Sequence, residues 1–154
     1  MIKIIGDGGH AKVVRDVIVR MPVEYTGEDV AFVAVGNNAQ RQSEVSRMDG
    51  CKFPVLIHPC AIVAAGVEIG GGTVIMANAL VQPGVKIGCH CILNSGAQAD
   101  HDCTIGDFAH IAPGAVLCGG VTVGEGALVG AGAVCVPGAV IPPWSLVKAG
   151  SVAK

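Results

Sequence analysis

Sixteen positions spaced six residues apart, from Ile57 through Ile69, Ile87, Ile105 and Leu117 to Val147, hold fourteen Ile, Leu or Val side chains, with Ala99 and Cys135 at the other two. Four places after each comes a second register, from Ala61 through Ala79, Cys91, Cys103 and Ala127 to Ser151, where nothing is larger than Val. Neither the helical period (about 3.6 residues) nor the strict alternation of a half-buried strand produces this beat. A six-residue repeat predicts a coiled β-solenoid. Each hexad is a short strand and a bend, and the aliphatic residues stack inside a narrow prism. The pairs Ile69-Gly70, Ile87-Gly88, Ile105-Gly106 and Val123-Gly124 recur at every third hexad, so three hexads make one turn. Gly66, Gly72, Gly84, Gly96, Gly114, Gly120, Gly126, Gly132 and Gly138 share one phase, where a bend calls for positive φ. Residues 57 to 152 give a little over five turns, a column about 25 Å tall at about 4.8 Å per stacked strand.

The first third of the chain follows a different pattern. Residues 2–5 form an apolar strand, Gly6-Asp7-Gly8-Gly9 a tight loop, and His10 to about Arg20 a helix with Val13, Val14, Val17 and Ile18 on its apolar side. Phe32-Val33-Ala34-Val35 is a second strand, Gly36-Asn37-Asn38 a turn, and residues 39–48 a short polar helix. Phe53-Pro54-Val55-Leu56 leads into the first hexad. The expected fold is mainly β with a small α/β part: a shortened, Rossmann-like substrate-binding domain over residues 1–54, then the solenoid over 55–154. The loop Gly6-Asp7-Gly8-Gly9-His10-Ala11 imitates a dinucleotide fingerprint, with Ala11 in the third glycine place. A full dinucleotide domain needs a second strand ending in an acidic residue, and Pro22 to Asp29 stands where that strand should be, with only Glu24, Glu28 and Asp29 as acidic candidates. Three readings stay open for the loop: a phosphate cradle at a helix start, a nicotinamide site, or a structural glycine turn.

Composition narrows the function classes. A net charge of -2 with 14% charged residues offers no basic stripe for nucleic acid. The mean hydropathy of +0.61 is high, yet no continuous apolar run is long enough to span a bilayer, and the N-terminus lacks a signal-peptide pattern. Seven cysteines, several in the small buried register such as Cys91 and Cys103, suit a reduced cytoplasmic protein. Cys103 stands close to His101 but in that buried register, which argues against a Cys–His acyl relay. Cys89-His90-Cys91 looks like a ligand cluster, but alternate strand residues face opposite ways, so no metal is expected.

Three stretches carry a family resemblance: Ile5-Gly6-Asp7-Gly8-Gly9-His10-Ala11-Lys12-Val13-Val14, Val35-Gly36-Asn37-Asn38-Ala39-Gln40-Arg41, and Leu93-Asn94-Ser95-Gly96 with Asp100-His101-Asp102-Cys103-Thr104-Ile105-Gly106 through Phe108-Ala109-His110-Ile111. The chain resembles the sugar acetyltransferases that N-acetylate UDP-4-amino-sugars of the bacillosamine type, and is similar to the sialic acid O-acetyltransferases. The resemblance implies a left-handed parallel β-helix, a homotrimer, and acetyl-CoA as donor, bound between neighbouring subunits. It implies His101 as general base, with Asp102 in place of the family's usual Glu. It places His110 and Gly119 on the acetyl-CoA side, with the Gly119 N–H facing the thioester carbonyl. It places Gly8, Gly9, His10 and Asn94 on the side of the nucleotide-linked amino-sugar.

Three other functions share a solenoid. The runner-up acceptor is a hydroxyl of sialic acid or another sugar. Zinc enzymes of the γ-carbonic-anhydrase type need two histidine ligands five residues apart, a spacing absent among His10, His58, His90, His101 and His110. A scaffold without catalysis would tolerate loss of His101.

Overall fold

The computed structural model describes residues 2–22 and 29–154. Glu24 and Glu28 lie outside the described residues, and Asp29 is exposed just before the second strand. β1 (Lys3–Ile5) runs parallel to β2 (Ala31–Val33), joined through α1 (Gly9–Arg20), and α2 (Asn38–Val45) follows. Ala11, Val14 and Val17 form the buried stripe of α1; Val13, expected on that side, is 43% exposed because it points past the core.

Seventeen two-residue strands, β3 (Leu56–Ile57) to β19 (Val152–Ala153), make the solenoid, each paired in parallel with its equivalent three hexads along the chain. They form three faces. Face A holds Leu56–Ile57, Val74–Ile75, Ile92–Leu93, His110–Ile111, Leu128–Val129 and Leu146–Val147. Face B holds Ile62–Val63, Leu80–Val81, Gln98–Ala99, Val116–Leu117, Val134–Cys135 and Val152–Ala153. Face C holds Glu68–Ile69, Lys86–Ile87, Thr104–Ile105, Thr122–Val123 and Val140–Ile141. The second residue of each strand points into the prism. With the small register of Ala79, Cys91, Ala97, Cys103 and Ala109, these residues form one continuous core.

The outward residues give each face a separate fate. On face A, Leu56, Val74 and Ile92 are buried under Val14, Val17 and Phe32, so the α/β part packs on this face. Face C is polar over its first four strands, with the exposed Glu68–Lys86 pair and Thr104 and Thr122, and ends in the exposed Val140. Face B is apolar except at the exposed Gln98, and uncovered: Ile62 and Val152 are largely exposed, and Leu80, Val116 and Val134 half-buried. Pro142-Pro143-Trp144 forms an ordinary turn, its Trp144 N–H bonded to the Glu125 carbonyl, and does not fold over the final coil.

Two glycine rows have different causes. At every sixth position from residue 66 to residue 150, φ is positive: ten glycines, plus Asn78, His90, Asp102, Phe108 and Trp144. The row of Gly70, Gly88, Gly106 and Gly124, one glycine per coil, is a matter of close approach. A Cβ at Gly106 would lie 2.7 Å from the Glu125 nitrogen, against backbone of the next coil that cannot give way. Gly106→Ala is therefore expected to cost about 2–3 kcal/mol by overpacking. Gly114→Ala, with φ of 66° but open space, should cost about 1 kcal/mol. Urea unfolding of both variants checks this; equal losses would contradict it.

Candidate active site

His101 and Asp102 occupy the corner between faces B and C, after Gln98–Ala99 and before Thr104–Ile105. Asp102 adopts φ of 61°, a left-handed conformation that costs an L-residue energy and marks a constrained position. Its backbone N–H bonds the Pro83 carbonyl, and its side chain lies over Gly84, where no Cβ could fit. This geometry answers whether the short Asp side chain can reach the ring: Asp102 Oδ2 lies 2.8 Å from His101 Nδ1. The Asp100 carboxylate accepts the His101 backbone N–H at 2.8 Å. With Nδ1–H donated to a carboxylate, Nε2 carries the free lone pair. The Asp102 hydrogen bond, then the Asp100 charge, raise the His101 pKa above its ordinary value.

Gly119 stands at the equivalent corner of the next coil, directly against this ring. A Cβ there would come within 2.6 Å of His101 Nε2 and 2.7 Å of Cε1. Glycine is thus required for the imidazole to lie where it does. Among the described residues the Gly119 N–H meets no hydrogen-bond acceptor, whereas the adjacent Cys118 and Gly120 N–H groups are both used by the coil. A groove of about 180 Å³ on face B, lined by Gln82, Gln98, Asp100, Val116 and Cys118, opens beside the pair.

The other candidates gather elsewhere. His110 lies on face A, the face opposite the His101 corner. Its Nε2 is 3.1 Å from Asn94 Nδ2, while Asn94 Oδ1 accepts the Ser95 N–H at 2.9 Å. That second bond fixes the amide orientation, so His110 Nε2 is an acceptor and the ring is neutral. Burial, then the Arg41 and His10 charges, push the His110 pKa down to about 4, with a hydrogen bond to the Gly36 backbone opposing. The His10 ring lies 6.5 Å from that of His110 and its pKa is likewise lowered to about 4, by burial and then Arg41. Its Nε2 is buried without a hydrogen-bond partner.

Gly8 and Gly9 begin α1, beside His10. Both are exposed, and Cβ atoms at either would meet nothing within 4 Å. Gly8 is the N-cap with φ of -73°, so neither backbone conformation nor packing demands glycine there. The structural demand falls on Gly6, with φ of 115° and no room against the Ala34 carbonyl. α1 has no side-chain cap and no acidic residue in its first turn, which leaves its N–H groups open to an anion.

One chain therefore brings Gly8, Gly9, His10, Asn94 and His110 to one surface, and His101, Asp102 and Gly119 to the opposite corner. Arg41 is the residue the sequence did not single out for a role. It is 1% exposed, and two of its acceptors, the His90 and Phe108 carbonyls, lie far along the chain. Cys89 is exposed, Cys91 faces the core with its thiol pushed up to about 12 by burial, and His90 lies in a corner turn rather than a strand. Among the described residues no three His, Cys, Asp or Glu side chains converge as a metal cluster, and no helix is long and apolar enough to cross a membrane.

The opposite settings of the histidines give a titration test. By NMR, His101 should titrate above about 6.5, the ordinary value, while His10 and His110 stay neutral to about pH 4. Asp102→Asn should lower the His101 midpoint and leave the other two unchanged. Because His10 and His110 are neutral when folded, their contribution to stability is full above about pH 6.5 and is lost as pH falls toward about 4.

Known proteins share this architecture and its repeat. The bacterial transferase hexapeptide (six repeats) family matches residues 84–119 and 102–137. The acetyltransferase domain of PglB from Neisseria gonorrhoeae FA1090 is 32% identical with a TM-score of 0.90, over 99% of this chain and 90% of that one. PerB from Caulobacter crescentus, solved in complex with CoA and GDP-perosamine, is 34% identical with a TM-score of 0.91, over 99% of this chain and 88% of that one. The UDP-N-acetylbacillosamine N-acetyltransferase of Bacillus subtilis (strain 168) is 42% identical across 49% of this chain; the match spans about half (51%) of that protein's length. The chain belongs to the hexapeptide-repeat sugar acetyltransferases, the acetyl-CoA-dependent acyltransferases built on a left-handed parallel β-helix with a small N-terminal α/β region.

Proposed function

We propose that the protein transfers the acetyl group of acetyl-CoA to the amine of a nucleotide-linked amino-sugar, of the UDP-4-amino-4,6-dideoxy type. The observation that carries the reading is the His101–Asp102 pair, with Nε2 unprotonated and set against Gly119. The amine attacks the thioester carbonyl as His101 Nε2 takes its proton. Asp102 holds the tautomer and favours the imidazolium that forms. The Gly119 N–H donates to the tetrahedral oxyanion, which then collapses and expels the CoA thiolate. PerB, solved with GDP-perosamine, and the UDP-N-acetylbacillosamine N-acetyltransferase of Bacillus subtilis support a nucleotide-linked amino-sugar as acceptor class. Open space at Gly8 and Gly9 and the uncapped start of α1 suit the acceptor's phosphates rather than a nicotinamide. Seven free cysteines suit a reducing cytoplasm.

The working unit in this reading is a homotrimer. His101 and Gly119 stand at the B/C corner while His10, Asn94 and His110 stand on face A, so no single chain closes the site. A second copy can present its corner to that face. The uncovered apolar row of Ile62, Leu80, Val116, Val134 and Val152 on face B gives the copies a surface to bury.

Replacement of the base should reduce turnover far more than binding. His101→Ala is expected to lower kcat by about 10²–10⁴ with little change in acetyl-CoA affinity. Asp102→Ala should be milder, with its acid limb moved to lower pH, because the unassisted imidazole protonates only at lower pH. Near-wild-type turnover by His101→Ala rules out the assignment, and acetylation of a free sugar hydroxyl in place of the amine would move the acceptor class.

Subunit mixing tests the composite site. Light scattering should give about three times the 15.4 kDa chain mass. His101→Ala and His110→Ala chains, each nearly inactive alone, should regain activity when unfolded and refolded together, since a mixed trimer contains intact sites. A fully active monomer, or no recovery in mixed trimers, contradicts it.

A further inference from the structure

Arg41 is fully buried and is in none of the ion pairs among the described residues. A lone buried cation is costly unless every proton finds an acceptor. Here all do. Nε donates to the His90 carbonyl at 2.8 Å, and Nη2 to the Phe108 carbonyl at 2.6 Å and to Asn38 Oδ1 at 2.9 Å. Nη1 donates to the carbonyls of Val35 at 2.9 Å and Gly36 at 3.3 Å. Two of these acceptors belong to the solenoid, at the corner between faces C and A; Val35 and Gly36 belong to the turn between β2 and α2, and Asn38 begins α2.

The solenoid acceptors occupy special positions. His90 and Phe108 hold positive φ, of 55° and 57°, the conformation for which ten of the fifteen corner positions use glycine. Their rings stack at 5.2 Å with planes 9° apart, and Phe53 meets the His90 edge at 4.7 Å. The strained pair leaves two successive carbonyls for one planar guanidinium. Asn38 continues along the same corner, donating to the carbonyls of Gly126 at 3.0 Å and Ala127 at 3.2 Å. The turn held in this way carries Gly36, whose backbone bonds His110 and whose Cα faces His10, so a Cβ there would lie 3.8 Å from that of His10.

We propose that His110, grouped with His10 and Asn94 on face A and away from Gly119, serves the acceptor side, and that Arg41 is a positioning residue for that side: its guanidinium fork registers the β2–α2 turn on the coil and so sets Gly36, His10 and His110 in their working arrangement. This deepens the acetyl-transfer reading and rests on it. An ammonium in its place keeps the charge but cannot span both solenoid carbonyls and the turn. The charge itself also lowers the pKa values of His10, His90 and His110, after burial in each case; Asp107 opposes at His90, and His10 adds to the effect at His110.

The test uses the full chain with Arg41→Met and Arg41→Lys. In both, KM for a UDP-4-amino-4,6-dideoxy-sugar should rise about tenfold or more, the loss of one or two charge-assisted hydrogen bonds, while KM for acetyl-CoA stays within about threefold. Without substrate, NMR should show the His10 and His110 midpoints moving up in Arg41→Met. Equal KM changes for both substrates, or an unchanged acceptor KM in a folded variant, overturn the proposal. If Arg41→Met fails to fold, Arg41→Lys decides alone, and an acceptor KM near the wild-type value overturns it. If the wild-type chain acetylates no nucleotide-linked amino-sugar, the functional reading fails separately. Unchanged His10 and His110 titrations in Arg41→Met then overturn the Arg41 role.

Discussion

Each coil turns its corners through a backbone conformation that L-residues avoid, and the whole molecule depends on those turns. Positive φ recurs at every sixth position from residue 66 to residue 150, which lets strands of only two residues stack in register from one coil to the next. Glycine meets the requirement without strain at ten of these turns. The others are informative. Asp102 uses its turn to carry a carboxylate to His101, and His90 and Phe108 use theirs to offer carbonyls to Arg41. At these three turns the strain goes with a carboxylate or a carbonyl that has a partner to hold.

The same repeat yields three unlike faces because only the outward residue of each strand is free to vary. Face A exchanges solvent for the α/β part, and Leu56, Val74 and Ile92 bury there with Phe32. Face C stays polar through Glu68, Lys86, Thr104 and Thr122. Face B stays apolar and open. A prism that fills its own core needs none of this asymmetry for folding. It separates a surface that binds the small domain from a corner that carries the His101 pair.

Histidine shows how location sets chemistry. His101 is exposed beside two carboxylates, which favour its protonated form and make it a stronger base. His10 and His110 lie half-buried within the influence of a guanidinium that has no counter-ion among the described residues, and both are held neutral. One side-chain type therefore supplies a proton acceptor at one place and a fixed hydrogen-bond partner at another.

Along the chain, the six-residue beat was sufficient to determine the solenoid, because each aliphatic step reports an inward position directly. The once-per-coil glycine row likewise revealed the coil length, since close stacking leaves no room for Cβ at Gly70, Gly88, Gly106 and Gly124. His101 with Asp102, and the glycine loop before α1, stood out because their partners are adjacent in sequence. Val13 did not obey the apolar phase, since helical spacing cannot say where the core's edge falls. The role of Arg41 was invisible, because its two acceptors on the solenoid lie 49 and 67 residues away and are backbone carbonyls common to every residue. Only the tertiary structure could reveal that His101 and His110, nine residues apart in sequence, face away from each other. A coil makes a third of a turn with every hexad, so neighbours in sequence separate onto different sides of the prism while residues a full coil apart, such as His101 and Gly119, come into contact.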